Sequence, residues 1–205
     1  MLISRLYPIL DIACFEEAAA FFSAADELAA SGITILQYRN KCGNAREMLN
    51  QARELNRRLS TQSHVRLIMN DRADLCVAAE FDGLHIGQDD LSPEAARRII
   101  GTDRILGVST HNPEQLANAD RTTADYLAIG PVFATTSKAN PDPVVGLEGV
   151  RRARSLTGKP LVAIGGITRA NALSVIDAGA DSIAVISDLI RDPRKSAEEF
   201  LRILG

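Results

Sequence analysis

Leu67 to Leu91 reads LIMNDRADLCVAAEFDGLHIGQDDL, and its pattern decides the fold. The apolar run Val65 to Met69 has the length of a strand, Arg72 to Glu80 predicts a short helix, and Gly83 to Ile86 is apolar again. Strands joined through a helix run parallel, so their carboxyl ends share one rim. Asn70 and Asp71 follow the first strand, and Gly87, Gln88, Asp89 and Asp90 follow the second, which collects polar side chains on that rim. Carboxylates from neighbouring strands suit a hard cation such as Mg²⁺, which keeps waters and is completed by substrate phosphates; Asp71 and Asp90 are the candidate ligands. An Asp after a strand also serves as the N-cap of the next helix, and that reading stands beside the metal.

The alternation continues in both directions. Apolar runs recur at Tyr7 to Leu10, Thr34 to Tyr38, Val65 to Met69, Gly83 to Ile86, Ile105 to Val108, Tyr126 to Ile129, Leu161 to Ile164 and Ser182 to Ile186. Helical patterns lie between them, among them Glu16 to Ala30 and the stripe Ala197, Phe200, Leu201 and Leu204. Ser92-Pro93-Glu94 and Asn112-Pro113-Glu114 are helix starts, each with a capping side chain, a Pro at the first position and an acid at the positive end of the dipole. Ser31-Gly32, Asp82-Gly83, Ala124-Asp125 and Gly179-Ala180-Asp181 each lead into an even-numbered strand, a weak repeat expected on the bottom face. These features predict an α/β fold, a single (β/α)₈ TIM barrel over residues 1–205 with right-handed crossovers; an open doubly wound sheet is the alternative.

Composition narrows the functions. The chain has 205 residues, 46% of them apolar, and a net charge of -3, which describes a globular protein with a sizeable core. Aromatics at 4%, no Trp and no basic stripe argue against a nucleic-acid surface. Cys14, Cys42 and Cys76 lack the spacing of a zinc site or a disulfide framework, so a reducing, cytoplasmic location is expected. The start, MLISRLYPILDI, has neither a cleavage region nor the length of a membrane span, so no membrane association is expected.

In a barrel the chemistry gathers on loops after the strands. Gln37, Arg39 and Lys41 alternate after the second strand, a clamp suited to a diphosphate; a solvated strand end is the plain alternative. The longest loop, from Gly130 to Gly146, carries hydroxyls and Lys138 and predicts a lid, or else a disordered surface loop. Ile164-Gly165-Gly166-Ile167-Thr168 and the end of the last strand, Ile186-Ser187, suggest a monophosphate cup of backbone N–H groups.

The ordered set QYRNK, LIMNDRADL, DGLHIGQDDL, GVSTH, GPVFATTSK, AIGGIT and AVIS resembles the thiamine phosphate synthase family over most of the chain. The resemblance implies a transferase that joins a pyrimidine methyl diphosphate to a thiazole ethyl phosphate, or its 2-carboxy form, releasing pyrophosphate with the help of one Mg²⁺ per active site. By position it implies that Gln37, Arg39, Lys41, Asn70, Ser109 and Lys138 bind the pyrimidine diphosphate. Thr135, Ser137, Gly166, Ile186 and Ser187 then hold the thiazole phosphate, and Asp71 and Asp90 the metal. Arg39, Lys41 and Lys138 carry the catalytic charge in a dissociative mechanism that needs no protein nucleophile. The expected partners are small phosphorylated substrates, and a homo-oligomer is compatible with this reading.

His85, among apolar neighbours, fits barrel filling or pyrimidine contact better than acid-base work, while His111 fits a structural or a site role equally; Asp11 has no assigned role. A tautomerase acting on a thiazole phosphate through a histidine is the rival enzyme, and a non-catalytic phosphate-binding barrel is the rival of another class. Neither needs the diphosphate clamp.

Overall fold

The computed structural model describes residues 4–135 and 142–205. Among these, eight strands alternate with eight helices: β1 (Leu6–Asp11), α1 (Ala18–Ala30), β2 (Ile35–Arg39), α2 (Ala45–Leu59), β3 (Arg66–Asn70), α3 (Ala73–Ala78), β4 (Gly83–Ile86), α4 (Pro93–Ile100), β5 (Ile105–Thr110), α5 (Pro113–Asp120), β6 (Tyr126–Ile129), α6 (Gly146–Leu156), β7 (Leu161–Ile164), α7 (Ala172–Asp177), β8 (Ser182–Val185) and α8 (Pro193–Leu204). Each strand pairs in parallel with the next, and β8 closes on β1, so the sheet is a barrel and not the open alternative. Helix starts follow from local chemistry. Ser92 Oγ accepts from the Ala95 N–H at 3.2 Å and Asn112 Oδ1 from the Gln115 N–H at 2.9 Å, each ahead of a Pro in the first turn.

The strands read as nearly continuous apolar runs because both faces are buried. On β1, Leu6 and Leu10 face the helices, where Phe21, Leu28 and Phe200 meet them, while Tyr7 and Ile9 point into the barrel. Ile35, Ile68, Tyr126, Ala128, Val162 and Ala184 complete that inner core. Gly107 makes room for it, since a Cβ there would lie 2.0 Å from Tyr126 Cζ.

The weak repeat has a physical cause at the bottom of the barrel. Asp82, Asp125 and Asp181 precede β4, β6 and β8, and each carboxylate accepts an N–H from the first two residues of another strand: Leu67 at 2.8 Å, Leu106 at 2.7 Å and Leu161 at 2.8 Å. Each also pairs with an arginine, respectively Arg66, Arg97 and Arg154. Because these contacts lie opposite the rim at the strands' carboxyl ends, Asp125→Ala is expected to cost about 1–2 kcal/mol of stability and to leave any activity of that rim unchanged. Urea denaturation alongside steady-state rates checks this; lost turnover at full stability would contradict it.

All three tyrosines of the chain, Tyr7, Tyr38 and Tyr126, are at most 2% exposed. Burial raises each phenol, and Tyr38 is pushed up to about 12. Above about pH 10 an unfolded chain releases phenol protons that the folded chain keeps, so stability falls as pH rises through that value. Phenolate absorbance is therefore expected to appear in one cooperative step together with loss of far-UV circular dichroism. A gradual rise from folded protein near the ordinary phenol range would contradict the burial.

Candidate active site

Side chains at the carboxyl ends of the strands converge on a cavity of about 120 Å³. Of the sequence-predicted residues, Gln37, Arg39, Asn70, Ser109, Thr135, Gly166, Ile186 and Ser187 all line it, with Ile9 and Ile164 among the apolar residues between them. Lys41, Asp71 and Asp90 are not part of that lining and form a separate charged cluster beyond β2 and β3. Ser137 and Lys138 lie outside the described residues.

The wall that the sequence reading assigned to a diphosphate is built from β1, β2 and β3. Gln37 and Arg39 sit at alternate positions of β2, as the extended backbone requires, and Arg39 pairs with Asp11, its register partner on β1. Asp11 thereby gains a role that sequence reading did not assign: it is 4% exposed, orients the guanidinium and accepts from the Ala13 N–H at 3.1 Å. Asn40 shapes the next turn by accepting from Cys42 N at 2.9 Å and Gly43 N at 2.8 Å, which carries Lys41 over to Asp71. The buried Nδ2 of Asn70 finds no acceptor among the described residues. A buried donor at a cavity wall could serve a ligand oxygen.

Asp71 has a positive φ of 61° and donates its N–H to the His85 carbonyl at 2.8 Å, so the backbone turns to hold the carboxylate above β4. Helix α3 follows Arg72 with no side-chain cap, and α4 is capped by Ser92; the N-cap alternative therefore holds for neither Asp71 nor Asp90. Burial pushes the Asp71 carboxyl up, the hydrogen-bonded Asp90 raises it further, and Lys41 opposes them. Asp90 accepts from the Gly87 N–H at 2.7 Å. Two adjoining carboxylates with one ammonium are short of positive charge. Among the described residues no group of three or more His, Cys, Asp or Glu side chains gathers, and an ion held here would take two carboxylates and fill its shell with waters and phosphate oxygens. These residues fit Mg²⁺.

The opposite wall comes from β7 and β8. Gly165 and Gly166 have φ of 101° and 63°, and a Cβ on Gly166 would lie 2.5 Å from the Ala134 carbonyl, so only glycine lets this turn pass beneath the long loop. Asn171 accepts from the Thr168 N–H at 2.8 Å and donates to the Gly166 carbonyl at 3.1 Å. Arg169 spans to Asp188 at 3.0 Å and to Glu199, tying this loop to the one after β8 that bears Ile186 and Ser187. Sequence reading missed this bracing, whose one visible signal was the polar content of TRAN and SDL next to the predicted cup.

His85 is buried on β4 and bonded on both ring nitrogens, Nδ1 to Tyr126 at 2.8 Å and Nε2 to Ser109 Oγ at 2.8 Å. It is an interior polar residue that also lines the cavity, a position compatible with both barrel filling and pyrimidine contact. His111, at the cavity wall, donates Nδ1–H to the Gly130 carbonyl at 2.7 Å, and its Nε2 stands 3.4 Å from Asp142. It braces the two stems of the long loop. Tyr7, Tyr126 and Asp142 were not singled out from the sequence, because nothing local in their surroundings marks them.

Residues 6–189 match the family described as "Thiamine monophosphate synthase". A "Thiamine-phosphate synthase" of Koribacter versatilis is 62% identical over 203 residues, covering 98% of this chain and 95% of that protein. One of Chloroflexus aurantiacus is 43% identical over 201 residues, covering 98% and 92%. Among solved structures, a thiamine phosphate pyrophosphorylase from Pyrococcus furiosus superposes with a TM-score of 0.86 at 33% identity, covering 98% of this chain and 95% of that one. The match over residues 6–189 and the full-length likeness in sequence and fold agree, and the chain belongs to the thiamine monophosphate synthase family.

Proposed function

We propose that this transferase condenses 4-amino-2-methyl-5-(diphosphooxymethyl)pyrimidine with 4-methyl-5-(2-phosphooxyethyl)thiazole, or its 2-carboxy form, to give thiamine phosphate and pyrophosphate. One observation carries the reading: a single cavity has the donors Gln37, Arg39 and Asn70 on one wall and the Gly166 and Ser187 turns on the other, with apolar Ile9 and Ile164 between. Two anionic groups held apart across an apolar floor describe two phosphorylated substrates facing each other. Asp71 and Asp90 would hold one Mg²⁺, whose chemistry is to neutralise the diphosphate as it departs.

The chain's own groups account for the rest. Arg39 is held by Asp11, so its planar fork is oriented before substrate arrives. Lys41 adds a second positive charge, and Lys138 is assigned a third by the family resemblance. These cations favour the separated diphosphate over the intact ester, which is electrostatic stabilisation of the charge developing on the leaving group. Gln37 and Ser109 orient the pyrimidine, while Thr135 and Ser137 supply hydroxyls to the thiazole. N–H groups around Gly166, Ile186 and Ser187 hold its phosphate against the turn braced by Asn171 and Arg169. The apolar floor keeps water from capturing the cation-like methylene, leaving the thiazole nitrogen as nucleophile.

His111 is engaged at Nδ1 by Gly130 and stands near Asp142, which supports a bracing role over the proton transfer a tautomerase requires. The proposal includes one domain per chain, acting on small molecules in the cytoplasm, with a homo-oligomer compatible with it. Among the described residues no helix is long and apolar enough to cross a membrane, and all three cysteines are free. The test mixes purified protein with both substrates, with Mg²⁺ or chelator, and follows thiamine phosphate and pyrophosphate together. Equal amounts of both products, lost with chelator, are expected; well-folded protein giving neither product would sink the reading.

A further inference from the structure

The barrel interior contains a continuous polar chain through an otherwise apolar core. Gln37 Nε2 donates to Tyr7 Oη at 3.0 Å, Tyr7 Oη meets Tyr126 Oη at 2.9 Å, Tyr126 Oη meets His85 Nδ1 at 2.8 Å, and His85 Nε2 meets Ser109 Oγ at 2.8 Å. Gln37, His85 and Ser109 line the substrate cavity, whereas Tyr7 and Tyr126 are 1% and 0% exposed and lie beneath its floor. The phenols therefore cannot act by touching a ligand.

Their effect follows from counting protons. An amide NH₂ only donates, so Tyr7 Oη accepts from Gln37. A phenol has one proton, and in a core of Ile9, Ile35, Ile68 and Val162 the Tyr7 proton has Tyr126 Oη as its acceptor. Pointing it elsewhere would leave a buried donor unsatisfied. Tyr126 then spends its own proton on His85 Nδ1, which must be the bare nitrogen, so the imidazole proton sits on Nε2 and is donated to Ser109 Oγ. Burial holds both phenols protonated, so neither link lacks its proton.

We propose that the Tyr7–Tyr126 pair relays the hydrogen-bond direction set by the Gln37 amide through to Ser109, fixing the His85 proton on Nε2. Gln37 is thereby left with its carbonyl Oε1 as the remaining acceptor, and Ser109 with its hydroxyl proton free to be donated. One end matches the amino group of an aminopyrimidine and the other an anionic oxygen. Tyr7 and Tyr126 are positioning residues, acting through the groups they orient. The reverse arrangement, with Gln37 turned over, would put the imidazole proton on Nδ1 and consume the Ser109 proton inside the protein. This inference rests on the proposed transferase reading for the identity of the ligand, but not for the direction of the chain.

Imidazole ¹⁵N spectra of the labelled, ligand-free protein test it. The chain has three histidines, His64, His85 and His111, and loss of one set of signals in His85→Asn assigns the residue. The expected wild-type spectrum shows a protonated Nε2 and a bare Nδ1 on His85; a proton on Nδ1 overturns the proposal without need of any further variant. In Gln37→Glu a carboxylate can only accept, so the chain is expected to reverse and the proton to move to Nδ1. An unchanged tautomer in that folded variant would also overturn it. In Tyr126→Phe the His85 tautomer becomes mixed and the KM for the pyrimidine diphosphate rises about tenfold, with the KM for the thiazole phosphate unchanged. Equal shifts in both constants, or none, would make Tyr126 a space filler. Because the spectra are taken without substrate, failure of the transferase assay and failure of this inference are separate results.

Discussion

Asp90→Ala is expected to lower turnover about 10³-fold while leaving the fold in place. The carboxylate is exposed, and its hydrogen bond to the Gly87 N–H, a group that water can satisfy, is worth about 1 kcal/mol or less. Its larger contribution is to the charge around the departing diphosphate, where a 10³-fold loss corresponds to about 4 kcal/mol of transition-state stabilisation. Those two magnitudes separate the outcomes. Turnover measured across a Mg²⁺ titration should collapse, calorimetric Mg²⁺ binding should weaken, and the urea midpoint should barely move. Full turnover in a folded Asp90→Ala protein would remove Asp90 from the metal site. Asp71 is a poorer probe, because its loss also breaks the pair with Lys41 and alters a positive-φ turn.

Arg39→Ala is expected to damage stability and activity together, for two different reasons. Removing the guanidinium leaves the nearly buried Asp11 carboxylate without its partner, at a cost of about 3–5 kcal/mol. It also removes the oriented fork from the diphosphate wall. The second substitution that separates these effects is Asp11→Asn, which neutralises the stranded charge and keeps the acceptor for the Ala13 N–H. The double variant Asp11→Asn/Arg39→Ala is therefore expected to recover most of the lost denaturation midpoint and none of the lost turnover. Recovery of both would make Arg39 a scaffold residue only. If Arg39→Ala alone kept its stability, the ion pair would be of the weak, solvent-screened kind.

Much of the rim was legible because strand-end residues announce themselves. Gln37 and Arg39 alternate on an extended run, Asn70 closes another, and Gly165-Gly166 breaks a third, so a parallel barrel had to bring them to one mouth. Asp11 was equally visible at the end of the first strand, yet its use was not. Its partner Arg39 is 28 residues away, and only the β1–β2 register makes them neighbours. The same holds for Arg169 and Glu199, which are 30 residues apart. Asp125 looked like ordinary turn chemistry, and its function as acceptor for the Leu106 N–H depends on a strand that precedes it by a whole helix.

What the sequence by itself determined is the strand-helix alternation, the caps that start α4 and α5, and the family, since each follows from local periodicity or from motifs in order. What only the tertiary structure decided is which polar groups meet. Tyr7 and Tyr126 are apolar-run residues of two distant strands, and no local pattern distinguishes a phenol that fills space from one that passes a hydrogen bond from Gln37 to His85. Local pattern reports which face a side chain takes, because backbone geometry imposes it residue by residue. Hydrogen-bond partners and buried charge pairs depend on strand register and barrel closure, which are set by the packing of the whole chain.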